Sequence, residues 1–245
     1  MSQQPQKIND QLILVCGESA SGKSASLANL PNQERVMYLN CESGKRLPFR
    51  NKFQSYVITD PYEVFQGFDH ALNNPDIDVI VLDTLTFLMD MFESQYVLES
   101  VDTMKGWSLY QQFFKTLMQD KVANSDKSVI ILAHTRADLD EKAMEMKTQV
   151  PIKGALKNNG IEAYFSTVVA TKRISLKDLK DSDPSLLNIT EDDKLLEFKH
   201  VFQTRITKTT KGERIRSPMG MFEKNQVYMD NDSGMLLDHL NEYYA

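Results

Sequence analysis

The stretch GESASGKS, Gly17 to Ser24, stands between the apolar run Leu12–Cys16 and the helix-compatible ASLANL. Its glycines lie five positions apart, and the second opens Gly22-Lys23-Ser24, which satisfies the spacing GxxxxGK[ST] between a strand and a helix. Glycine permits positive φ angles and close backbone approach, so successive amides turn into one anion-holding nest. The spacing assigns polyphosphate binding to Gly17, Glu18, Ser19, Ala20, Ser21, Gly22, Lys23, Ser24 and Ala25. Lys23 reaches the β- and γ-phosphates, and the Ser24 hydroxyl ligates Mg²⁺. ATP and Mg²⁺ are the cofactors this pattern expects.

A second element of such a site is a buried strand ending in aspartate, which fixes an acceptor for the metal's water shell opposite the loop. DVIVLDTLT supplies it: Asp83 closes an apolar run, while Asp78 reads as a solvated strand end. Thr84 follows Asp83, so the acid that activates water is not next to it. RVMYLNCESGKRLPF offers Glu42 at the end of another strand, within reach of the same cleft if the two strands are neighbours.

The chain has 245 residues, enough for one α/β core. Its 41% hydrophobic and 25% charged residues are those of globular proteins. QLILVC, RVMYLN, SYVIT, DVIVLD and SVIILAH alternate with helical stretches, which predicts a mostly parallel sheet covered on both faces by helices. Beyond residue 160, EAYFSTVVATKRI and LLEFKHVFQTRITK predict an antiparallel pair at the sheet edge, a C-terminal β-hairpin extension. The expected organisation is a flexible terminus over 1–10, a core over 11–175, and a β-rich extension of the same domain over 176–245 with a short final helix.

The net charge of −6 restricts nucleic-acid contact to a local patch. Cys16 and Cys41 lie in apolar runs and read as buried thiols without chemistry. The absence of a long apolar stretch or signal-peptide pattern predicts a cytoplasmic protein with no membrane partner.

Gly17–Ser24, a second strand closing at Glu42, VIVLDTLT, and SVIILAHTRAD with a polar tip together resemble the RecA-like ATPase core. The resemblance spans residues 10 to 175 and is nearest to the short bacteriophage branch of RecA-like recombinases and single-strand-annealing-associated ATPases. It implies a RecA-like P-loop core, ATP hydrolysis stimulated by single-stranded DNA, and assembly with other copies as a filament or ring. It also implies a role in phage recombination or repair, in the host cytoplasm, beside a phage single-strand-binding or annealing protein.

Carried onto this chain, Glu42 is the catalytic base, Lys23 the phosphate cation, Thr84 a polar group beside the metal, and His134 the γ-phosphate sensor. Arg136, Lys142, Lys147, Lys153 and Lys157 become candidate DNA contacts, diluted by nearby acids. Lys208, Lys211 and Arg214 are candidates for the cation that the family sends into a neighbouring subunit's site, although their spacing departs from the family pair. Glu42 as a loop acid, His134 as a strand-end histidine and the late basic segment as a plain turn stay open. So does a nucleotide-gated loader or adaptor with little turnover; a small-molecule kinase lacks an Arg-rich lid pattern.

Overall fold

The computed structural model describes residues 9–141 and 144–245, the side chains at 158 and 159 excepted. Lys142 and most of the N-terminal segment expected to be flexible lie outside the described residues.

The apolar runs form strands β1 (Leu12–Gly17), β2 (Val36–Asn40), β3 (Gln54–Val57), β4 (Val79–Asp83) and β5 (Ser128–His134). A hairpin of β6 (Arg136–Asp140) and β7 (Glu145–Gln149) follows as a separate two-stranded sheet. The chain then adds β8 (Thr167–Ser175), β9 (Phe198–Gln203) and β10 (Tyr228–Asp230). The eight-stranded order is β10-β9-β8-β1-β5-β4-β2-β3. The run from β8 through β3 is parallel, and β9 and β10 pair antiparallel at the other end. This is the mostly parallel α/β sheet with antiparallel C-terminal strands that the sequence pattern predicts.

Both faces of the sheet are covered, which is why its central strands read as continuous apolar runs. Leu14, Cys16, Leu39, Leu82 and Ile131 face a core shared with α1 (Glu63–Leu72), α2 (Leu85–Phe92) and α3 (Thr103–Thr116). Ile13, Val15, Tyr38, Val81 and Ile130 face the other core, closed by Leu236, Leu237 and Leu240 of the final helix, α4 (Ser233–Tyr244). Asp78, just before β4, is forked by Arg35, with Nη2–Oδ1 at 2.6 Å, and is not simply solvated. Cys16 and Cys41 are buried free thiols. No helix of the described residues is long and apolar enough to cross a membrane.

Two local expectations change. The helix after Gly17–Ser24 is a single 3-10 turn, Ser24–Leu27; Pro31 disfavours helical backbone in the residue before it, and Asn32 adopts a left-handed φ of 47°. The late basic segment, residues 204–216, forms no hairpin of its own. It makes only isolated bridges, Thr148 with Glu213 and Val168 with Arg216, and a Cβ at Gly212 would overlap the Met146 carbonyl.

Phe92 is fully buried, with the rings of Tyr62, Tyr96, Tyr110 and Phe113 at 4.7 to 6.0 Å. Phe92→Ala should therefore cost about 3–5 kcal/mol by chemical denaturation, with an unchanged denaturant slope.

Candidate nucleotide site at the carboxyl ends of the strands

Register brings the candidate residues together. Gly17 pairs with His134, and Asn40 with Asp83, so β1, β5, β4 and β2 end along one edge of the sheet. β5 lies between β1 and β4, and β2 flanks β4 on the far side. A cleft of about 450 Å³ opens at that edge, bounded by the Ser19–Ala25 loop, Tyr38, Glu42, Asp83 and His134.

The loop closes tightly on its neighbours. A Cβ at Gly17 would overlap Thr171 Oγ1 and come within 2.6 Å of Ser21 Oγ, and Gly22 holds φ at +109°. Lys23 is buried, and its Nζ donates to the carbonyls of Gly17 (3.0 Å) and Glu18 (2.7 Å). Nζ is also 3.2 Å from His134 Nδ1. Burial lowers the Lys23 ammonium to about 8, against the pull of Asp83 and Glu42.

Asp83 is almost wholly buried. Its Oδ2 accepts from Ser24 Oγ at 3.0 Å and from Tyr38 Oη at 2.7 Å. Its Oδ1 is buried with no hydrogen-bond partner. Burial raises the Asp83 carboxyl above its usual range, with Tyr38 and Ser24 opposing. An orphaned carboxylate oxygen beside a serine hydroxyl is an all-oxygen donor set that suits a hard divalent cation. The described residues contain no cluster of three or more His, Cys, Asp or Glu side chains able to hold a metal. Ser24 and Asp83 therefore fit an ion completed by water and substrate phosphates, the habit of Mg²⁺.

Glu42 turns into the same cleft. Its side chain is 9% exposed, Oε1 lies 3.5 Å from His134 Nε2, and Oε2 accepts from Lys45 Nζ at 2.8 Å. With Nδ1 accepting from Lys23, the His134 proton belongs on Nε2, toward Glu42. Burial, then Lys23, lowers the His134 pKa, which keeps the ring neutral at neutral pH. Thr84 does not join them: it is fully buried and its hydroxyl bonds Thr86 at 3.0 Å.

Three cleft residues carry no local signal in the sequence. Tyr38 lies inside an apolar strand and reads as core. His200 Nδ1 donates to the Ser21 carbonyl at 2.8 Å, and Asn231 Nδ2 donates to the Gly22 carbonyl at 2.8 Å. Both come from the C-terminal extension, roughly two hundred residues from the loop they brace, so no motif spacing announces them.

The remaining basic candidates sit elsewhere. Arg136, Lys153 and Lys157 line one cleft of about 600 Å³ with Trp107. Arg136 pairs with Asp138 at 2.9 Å, Lys153 with Glu93, and Lys147 with Asp140. Arg214 Nη1 lies 3.3 Å from Glu162 Oε2 of its own chain, in a cavity of about 310 Å³ on the β8 side of the loop. To reach a neighbouring subunit it would have to leave that partner. Lys208 and Lys211 border neither this cavity nor the phosphate cleft.

A family model described as an AAA domain matches residues 9–212, a span that includes every strand from β1 to β9. A comparison with curated proteins returned no match.

Burial brings the Lys23 ammonium down to about 8, and a polyphosphate beside it would raise that value by charge attraction. Nucleotide affinity should then be level below about pH 8 and fall above it, by up to about tenfold per unit. Fluorescent-nucleotide titrations from pH 7 to 9.5 read this directly, and Lys23→Arg should flatten the profile.

Proposed function

The chain belongs to the AAA domain family of P-loop ATPases, and from that premise we propose a Mg²⁺-dependent, RecA-like ATPase that acts on single-stranded DNA in phage recombination or repair. It works as a homo-oligomer. The observation that carries the ATPase part of this reading is the side-chain chain Lys23–His134–Glu42, which joins the phosphate loop to an acid two residues past the strand flanking Asp83.

In this reading the Gly17–Ala25 amides and Lys23 hold the polyphosphate, with Lys23 exchanging the Gly17 and Glu18 carbonyls for phosphate oxygens. Ser24 and Asp83 would hold Mg²⁺, which when bound would neutralise phosphate charge. Glu42 orients a water for in-line attack: the new P–O bond forms, the bond to the bridging oxygen breaks, and ADP leaves with that electron pair. The water's proton passes to Glu42 and then to solvent or phosphate. His134 reports the occupancy of Lys23's phosphate site to the β6–β7 hairpin, which begins two residues later at Arg136.

The cleft that gathers Arg136, Lys153 and Lys157 around Trp107 supports the DNA assignment, because it offers phosphate-seeking cations beside an aromatic face. A second reading, a nucleotide-gated loader or adaptor with slow turnover, is favoured by one observation: Arg136, Lys147 and Lys153 are already paired with acids of the same chain.

Glu42→Gln should retain ATP binding while turnover falls by about 10²- to 10⁴-fold; full turnover in this variant removes Glu42 as the base. Adding single-stranded DNA to wild type should raise the steady-state ATPase rate several-fold. An unchanged rate favours the adaptor reading.

A further inference from the structure

Beside Glu42 stands a cation that the P-loop pattern does not assign. The turn after β2 reverses sharply, with Ser43 at φ 53° and Gly44 at φ 76°. Asn40, 5% exposed, staples both sides of the turn: its Oδ1 accepts from Glu42 N at 2.9 Å and its Nδ2 donates to the Lys45 carbonyl at 2.9 Å. Lys45 N in turn donates to the Glu42 carbonyl at 3.1 Å. This brace sets Lys45 at the lip of the phosphate cleft, and its Nζ lies 2.8 Å from Glu42 Oε2. The Lys45 side chain is 71% exposed, so exchanging its carboxylate partner for a phosphate oxygen costs little. The Glu42 hydrogen bond raises its pKa, so it is a cation at neutral pH.

Phosphoryl transfer spreads charge over three equatorial oxygens, more than the one ammonium of Lys23 can pair, and Lys45 lines the same cleft as Lys23. Arg214, from the segment expected to deliver a cation across a subunit boundary, is engaged by Glu162 of its own chain. We propose that Lys45 is a catalytic cation acting in cis, stabilising negative charge on the γ-phosphoryl group in the transition state while Glu42 orients the water. This rests on the ATPase reading above.

The test is steady-state ATPase of the full chain with Lys45→Ala, Lys45→Met and Lys45→Arg, alongside Mg²⁺-ADP affinity for each. Lys45→Ala and Lys45→Met should lower kcat by about 100-fold, the scale of one lost transition-state donor, with ADP affinity changed less than about threefold. Lys45→Arg should recover most of the loss. A kcat within threefold of wild type, or a raised kcat showing that Lys45 merely restrains Glu42, overturns the inference, as does a parallel fall in ADP affinity. Mixing Lys45→Ala with Lys23→Ala separates cis from trans: turnover restored in the mixture overturns the assignment in cis. No turnover by wild type removes the ATPase reading and this inference with it. Wild-type turnover with an unaffected Lys45→Ala removes the inference alone.

Discussion

The parallel pairing of β1, β5, β4 and β2 is the constraint on which the site depends. Register along this ladder fixes Gly17 opposite His134 and Asn40 opposite Asp83, so four separate strand ends deliver their side chains to one cleft. Because β5 lies between β1 and β4, a histidine at its tip sits between the loop lysine and the acid that follows β2. A slip of one residue would exchange the two faces of a strand and carry both cores with it, which makes this alignment strongly specified. The gathering of these side chains is therefore a by-product of burying apolar strands on both sides.

That cleft holds its charges in tension. Lys23 is desolvated and satisfied by backbone carbonyls, Asp83 keeps one oxygen without a partner, and Glu42 is shared between a neutral histidine and an exposed lysine. In the proposed reading the first two arrangements would improve when a polyanion and a hard cation enter together, since phosphates would replace the lysine's carbonyl partners and the cation would neutralise the unpartnered carboxylate.

Much of this was legible in the residues. Continuous apolar runs identify the buried parallel strands, GESASGKS marks the loop by spacing, and Asp83 is singled out by ending the best such run. The placement of Glu42 was readable because Thr84 occupies the position after Asp83, which forces the search to another strand. Illegible were the contacts that depend on distant pairing: Tyr38 disguised within an apolar strand, His200 arriving from β9, and Asn231 from the residue after β10. Sequence pattern also overstated local regularity. Pro31 stops the helix after the loop, and the late basic segment is shaped by packing against β7 and β8, which propensity does not report.

The shortness of the turn after Ser24 decides what braces the loop. With a single 3-10 turn behind it, the loop leans on the far end of the chain: Ser26 bonds Ser233 at 2.9 Å, Asn29 bonds Asp232 at 2.7 Å, and Gly234 packs on the Asn29 carbonyl. These braces, with His200 and Asn231, belong to the last fifth of the polypeptide. The loop is thus held from two directions, by Asp83, His134 and Thr171 of the parallel strands on one side and by residues 200 to 234 on the other, and loss of the second set would leave the motif intact in sequence but half-braced in space.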